Sequence, residues 1–368
     1  MKLPELKIGD IIARVPIIQG GMGVAISLAN LASAVANEGG IGVISTVGIC
    51  YKQEDAFSNF VESNNRALRD EIRKAKAMTK GLLGVNILGA MTNYDDIVRT
   101  SIEEGIDIII SGAGLPLNLP KFKIEMKSNV KLAPIASSGR SAHIICKAWD
   151  TKYNTIPDLV IVEGPKAGGH LGFSYKELEN IEGHNIEKLI TDVIEAVKPY
   201  EAKYGRKIPV IAAGGIYTGT DIARIMELGA SGVQMGTRFV ATEECDASPL
   251  FKQAFINCKE EDIVLIQSPV GLPGRAIKNK FLELVEQGHK VPIKCPYHCL
   301  KTCKVEDSPY CIASALVSAA KGILNNGFAF CGANAWRVTK IVTVKELMQE
   351  LIAEAELTFK GIALSPAV

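Results

Sequence analysis

A chain of 368 residues, 47% hydrophobic, has enough apolar material for one large α/β domain with additions or for two ordinary domains. Its 41 lysines and arginines balance 40 acidic residues for a formal charge of +1, which excludes the basic footprint that nucleic acid or an anionic membrane selects. The opening MKLPELKIGDIIARVP lacks the roughly 7–15 apolar residues of a secretory leader, and no apolar run reaches the roughly 18 of a membrane span, so a cytoplasmic protein without nucleic-acid or membrane partners is expected.

Taken in order, eight short β-rich runs recur: PIIQ (16–19), IGVIST (41–46), LLGVNI (82–87), IDIIIS (106–111), KLAPIAS (131–137), LVIVEG (159–164), PVIAAG (209–214) and GVQMG (232–236). Several are apolar at nearly every position instead of alternating, as burial on both faces of a parallel sheet demands. Helices are predicted over 27–39, 54–77, 93–104, 117–128, 138–149, 185–204 and 219–230, and in the second of them Phe57, Phe60, Val61, Asn64, Leu68 and Ile72 mostly share one face. Eight strand–helix repeats in about 250 residues have the size and rhythm of a (β/α)8 TIM barrel. An open doubly wound sheet is the competitor, and the regularity of eight units places it second. Beyond the eighth strand the rhythm stops. A helix is predicted over 275–287, a cysteine-rich loop over 295–311 and helices near 312–325 and 343–357. The expected organisation is therefore a barrel over residues 1–258 and a C-terminal, largely helical and cysteine-rich addition, 259–368, packed on it.

Barrels gather function at the C-terminal ends of their strands. Those ends read QGGMG (19–23), STVG (45–48), VN (85–86), SGAG (111–114), ASSG (136–139), EGPKAGGH (163–170), AAGGI (212–216) and GTR (236–238). Any one of these glycines serves a tight turn; so many together leave room for something flat and sizeable across the mouth. AAGGIYTGTDIARI sets two glycines at a strand end, then Thr218 or Thr220 as a helix N-cap, while VQMGTRF adds a glycine and the Thr237 hydroxyl. Free amides and a helix N-terminus at this place form the phosphate cradle common after strands seven and eight. His170 follows Gly168 and Gly169 on the loop after strand six, where a neutral imidazole accepts a proton or donates a hydrogen bond to a developing anion. His143, His184, His289 and His298 have no such setting.

PIIQGGMG, GVN, EGPKAGGHLG, AAGGI and GVQMGTRF, in this order, resemble the FMN-dependent barrels that comprise nitronate monooxygenases (2-nitropropane dioxygenases) and the related flavin-containing enoyl-acyl-carrier-protein reductases. The resemblance spans residues 16 to about 240 and fades through the C-terminal third. It implies FMN as cofactor, with Gly21, Met22 and Gly23 along the isoalloxazine and Asn86 hydrogen-bonded to it. It further implies that Gly214, Gly215, Ile216, Gly236 and Thr237 hold the phosphate end, that Glu163, Gly168 and Gly169 belong to a flavin-facing loop, and that His170 is the catalytic histidine. One departure is Lys166, where such chains often carry an acidic residue; another is the long segment between His170 and the seventh strand, with its charged helix.

Two reactions suit this constellation. In one, an alkyl nitronate is oxidised with O2 to a carbonyl compound and nitrite; in the other, NAD(P)H reduces the flavin for transfer to an enoyl thioester. A flavin-free lyase or isomerase acting on a phosphorylated small molecule is a third reading, and Glu163 and Lys166 are the only residues that suit it. A homo-oligomer is compatible with all three. Cys295, Cys299, Cys303 and Cys311 fall within 17 residues, a density that in a cytoplasmic chain suggests an iron–sulfur cluster or zinc as readily as inert thiols. Cys50, Cys146, Cys245, Cys258 and Cys331 are scattered and are expected to be small buried hydrophobes.

Overall fold

The structure, a computed structural model, describes residues 2–56, 58–293, 295 and 299–361. An antiparallel hairpin, β1 (Leu6–Ile8) and β2 (Ile11–Ala13), precedes the barrel. Six parallel strands follow: β3 (Ile17–Gln19), β4 (Ile41–Ser45), β5 (Leu82–Leu88), β6 (Ile108–Gly112), β7 (Lys131–Ala136) and β8 (Val160–Glu163). A two-residue strand, β9 (Gly169–His170), leaves the barrel for another sheet. β10 (Val210–Ala213) and β11 (Gly232–Met235) complete the eight, and the pairing of β10 with β8 closes the ring. The closed barrel rules out the open doubly wound sheet.

The nearly continuous apolar runs are accounted for by their two destinations. Ile41, Val43, Ile108, Ile110, Ile161 and Ile211 point inward and pack with Leu6 and Ile8 of the hairpin, which stoppers the N-terminal end. Ile44, Val85, Ile87 and Ile109 point outward against the helices. These are α1 (Ala29–Asn37), α2 (Phe60–Met78), α3 (Tyr94–Glu103), α4 (Leu119–Glu125), α5 (Gly139–Tyr153), the short α6 (Tyr175–Glu179), α7 (Ile186–Tyr204) and α8 (Gly219–Glu227). Thr218 is the N-cap of α8 and forms a reciprocal capping box with Asp221. Helix α2 starts later than the 54–77 prediction because residues 54–56 turn, and Phe57 lies outside the described residues.

After β11 comes a single helical turn, α9 (Thr237–Val240), then α10 (Pro249–Ile256). The remainder holds β12 (Ile263–Gln267), β13 (Pro273–Ile277), α11 (Lys280–Glu286), α12 (Ile312–Ala320) and α13 (Val344–Thr358). Helix α13 takes the outer place that α9 is too short to fill, packing on α8 and α1. Glu354 accepts the Gly219 amide at the start of α8 at 2.7 Å, and Glu350 pairs with Arg238 at 2.6 Å. The predicted helix 275–287 is corrected: its first residues form fully buried β13, held between β12 and β9, and the helix begins only at Lys280, capped by Asn279. Pairing from distant strands overrides local helical preference there. No helix among the described residues is long and apolar enough to cross a membrane.

Candidate active site

A cavity of about 750 Å³ opens at the C-terminal ends of the strands. All the residues singled out for a cofactor border it. Gly21, Met22 and Gly23 come from the turn after β3, Asn86 from β5, Glu163 from the end of β8, and Gly168 and Gly169 from the loop leading into His170. Gly214, Gly215 and Ile216 follow β10, and Gly236 and Thr237 follow β11.

The middle of this cavity is framed by glycines and bordered by polar side chains. A Cβ on Gly21 would lie 2.2 Å from the Asn86 Cβ, so only glycine lets the two strand ends approach. The carbonyl of Asn86 is held by the Thr46 amide and hydroxyl at 3.1 and 2.9 Å, leaving its side chain to the cavity. Ser45 and Gln234, two wall residues given no role by the sequence, have side-chain oxygens buried without a hydrogen-bond partner among the described residues. Orphaned polar atoms at a concave site await a ligand.

At the other end Gly214 and Gly215 adopt successive left-handed conformations, φ +94° and +83°, open to few residues but glycine. The amides of Gly215, Ile216 and Thr237 find no acceptor among the described residues, which leaves three donors free at this end; the start of α8, expected to be free, is already occupied, Asp221 accepting the amides of Tyr217 and Thr218 and Glu354 that of Gly219. Thr237 Oγ1 is already engaged, accepting the Gly332 amide at 3.1 Å, and Asn334 donates to the Gly215 carbonyl at 2.7 Å. The Lys166 side chain runs along Gly215, 2.9 Å from where a Cβ would stand. It thus borders the end with the unpaired amides.

His170 is held by the C-terminal segment. β9 pairs with β13, His170 opposite Gly274, and Phe330 meets the imidazole edge-on with centroids 5.0 Å apart. His170 Nε2 lies 2.7 Å from the Ser268 hydroxyl. Burial lowers the imidazole pKa to about 4, so the ring is neutral near neutral pH. Burial also raises the Glu163 carboxyl to about 7. Arg275, 5% exposed, donates to the carbonyls of Pro165 and Ala167 at 2.8 and 2.5 Å and so fastens the loop that ends in His170. Arg275→Met is expected to leave both carbonyls short of a partner, at roughly 1–3 kcal/mol each, read as a lower denaturant midpoint. An unchanged midpoint would remove Arg275 from this role.

Ser268, Arg275, Phe330 and Asn334 escaped the sequence reading because each acts from the segment whose strands went unrecognised. The arginine in the apolar run LPGRAI was the one local clue.

The expected metal at Cys295, Cys299, Cys303 and Cys311 is not supported. Among the described residues no three His, Cys, Asp or Glu side chains are placed to hold an ion. All four are free thiols, near enough that Cys311, Cys295 and Cys303 add to the effect of burial in pushing Cys299 up to about 12. Only Cys299 of the four borders the cavity. The five scattered cysteines are buried, as expected.

The class this chain falls in, a flavin-dependent oxidoreductase, is set by its family, and the cavity with a neutral imidazole at its rim lies where such a barrel carries its site. The chain matches the nitronate monooxygenase family over residues 5–354 and belongs to it. It is 29% identical over 307 residues to a probable nitronate monooxygenase of Staphylococcus aureus (strain MRSA252), covering 74% of this chain and 78% of the relative. A probable nitronate monooxygenase of Staphylococcus saprophyticus is 29% identical over 309 residues, covering 78% and 82%. Among solved structures, FabK from Thermotoga maritima superposes with a TM-score of 0.72 at 28% identity, covering 94% of both chains. Nitroalkane oxidase from Streptomyces ansochromogenes shares the fold at TM-score 0.70 and 21% identity, covering 95% and 97%.

Proposed function

We propose that the cavity binds FMN and that the protein oxidises alkyl nitronates with O2 to a carbonyl compound and nitrite. The observation that supports it most is the neutral imidazole of His170 beside a glycine-framed cavity with unpaired amides at one end. Gly21, Met22, Gly23 and Asn86 would line the ring, with Ser45 and Gln234 gaining partners at its edge. Gly214, Gly215, Ile216, Gly236 and Thr237 would hold the phosphate, with the Lys166 ammonium near it. Bound there, FMN supplies the electron-accepting chemistry that no side chain of the cavity offers.

The protein's own part is positioning and electrostatics. His170, uncharged and fixed by Ser268 and Phe330, faces the nitronate oxygen and stabilises its charge through a hydrogen bond. Gly169, where a Cβ would meet nothing within 4 Å, leaves that contact clear, and Gly168 lets the loop pass against the backbone of Cys331 and Gly332. The cavity wall made by Val24, Val47, Ala56, Ile312, Leu316 and Val317 is apolar and suits the alkyl part of the substrate.

The same wall, with the similarity to FabK across 94% of both chains, supports a second reading, an NAD(P)H-dependent enoyl-acyl-carrier-protein reductase. Anaerobic mixing separates the two. Bleaching of the flavin absorbance by a nitronate and not by NADH or NADPH is expected; rapid bleaching by a nicotinamide would establish the reductase instead. Protein that is colourless and fails to take up FMN would end both.

Glu163 gives a pH test. In the folded protein burial holds its proton up to about pH 7, against an ordinary value of 4.5 for the free side chain. Folding therefore favours the protonated form, and the stability associated with it is lost as pH rises through about 7. Between about pH 4.5 and 7 the melting temperature of the wild type is expected to fall more steeply with rising pH than that of Glu163→Gln, and above that range the two slopes should agree. Parallel curves would show that the carboxyl is not held in this state.

A further inference from the structure

Ser268 stands behind His170, outside the cavity wall. It is 2% exposed, and its backbone is locked in the turn between β12 and β13: its amide donates to Leu272 at 3.1 Å and its carbonyl accepts from Gly271 at 2.9 Å. The Val270 amide reaches the Ser268 hydroxyl oxygen at 3.5 Å, while the imidazole Nε2 lies 2.7 Å from the same oxygen. Room for the ring's other neighbour, Phe330, depends on Gly274, where a Cβ would come within 2.7 Å of the phenyl ring. The ring is thus fixed on one side by a hydroxyl and along its edge by a phenyl group. Nδ1 has no partner among the described residues, and His170 borders the cavity.

A neutral imidazole carries one N–H and one lone pair, and the partner at one nitrogen decides which the other presents. With the Val270 amide directed at its oxygen, the Ser268 hydroxyl has its own proton to give, and Nε2 is the acceptor in reach. We propose that Ser268 is a positioning residue that donates to Nε2 and holds His170 as the Nδ1–H tautomer, so that the cavity meets a hydrogen-bond donor and not a base. This rests on the reading of His170 as the group that faces substrate, and it narrows the substrate class. The site serves molecules that arrive with an anionic oxygen, such as a preformed nitronate. It does not remove the α-proton of a neutral nitroalkane.

The test is ring-nitrogen NMR on the full-length protein labelled with 15N-histidine, with and without FMN, His170→Ala identifying the resonances. Protonated Nδ1 with unprotonated Nε2 is expected in the wild type. Ser268→Thr, which keeps the hydroxyl, should preserve that pattern, and Ser268→Ala should populate the other tautomer. In Ser268→Ala, kcat on a nitronate should fall roughly ten- to a hundredfold, as when other histidines lose the partner that orients them, with KM and the flavin spectrum little changed. A proton on Nε2 in the wild type, or a Ser268→Ala spectrum identical to it, overturns the proposal. If Ser268→Ala does not fold, the wild-type spectrum decides. Failure to bind FMN or to oxidise nitronates would instead defeat the functional reading, leaving the tautomer to be settled by the spectrum of the protein without FMN.

Discussion

Replacing His170 with alanine is expected to lower kcat on a nitronate by roughly 10²–10³-fold, the usual cost of removing one preorganised donor from a developing anion, while FMN remains bound. The imidazole borders the cavity but lies apart from Gly214, Gly215 and Thr237, so its loss leaves the end proposed for the phosphate intact. Phe330 and Ser268 lose a neighbour in the variant, yet the β9–β13 pairing that carries the loop is made by backbone and survives. Stopped-flow kinetics with the flavin-to-protein ratio measured alongside separates chemistry from binding. A variant isolated without flavin would mean that the ring's main work is structural.

Gly21→Ala is the second large effect. The added methyl would stand 2.2 Å from the Asn86 Cβ and 2.9 Å from its Cγ, with Val43 at 3.3 Å on another side. Asn86 belongs to β5, paired on both edges within the barrel, and its carbonyl is held by Thr46. It has no easy retreat except into the cavity. Overpacking of this kind costs roughly 1–3 kcal/mol, and the displaced amide would occupy space claimed for the ring, so flavin content is expected to fall sharply. Gly84→Ala, also on β5 but off the cavity wall, is the contrast, because its methyl would come no nearer than 3.4 Å to the Ile108 carbonyl oxygen and Val43 Cγ2, ordinary contacts. Equal flavin content in both variants would show that the approach of β3 to β5 does not shape the binding site.

The barrel was readable because its signals are local. Runs such as IGVIS and IIISG are apolar up to the serine near their ends, and in the structure their isoleucines and valine divide between the barrel interior and the helices. The glycines at the strand ends announced the cavity for the same reason, since each turn leaves its mark where it occurs. The support of His170 left no such mark. Ser268 and Phe330 gain meaning only when β13 pairs with β9, and GRAIKNKFLELVEQ reads helically until that pairing is known. The cysteines misled in the opposite direction: closeness in sequence brought four thiols near one another without giving any three of them the arrangement an ion requires among the described residues.

The union of β9 with β13 also bears on the order in which the molecule becomes competent. The serine that grips His170 lies 98 residues downstream of it, so a chain emerging from the ribosome completes all eight barrel strands before the anchors of its imidazole exist. A nascent chain halted just after β11 would own the whole stave ring yet carry His170 without the serine, arginine and phenyl ring that hold it and its loop in place.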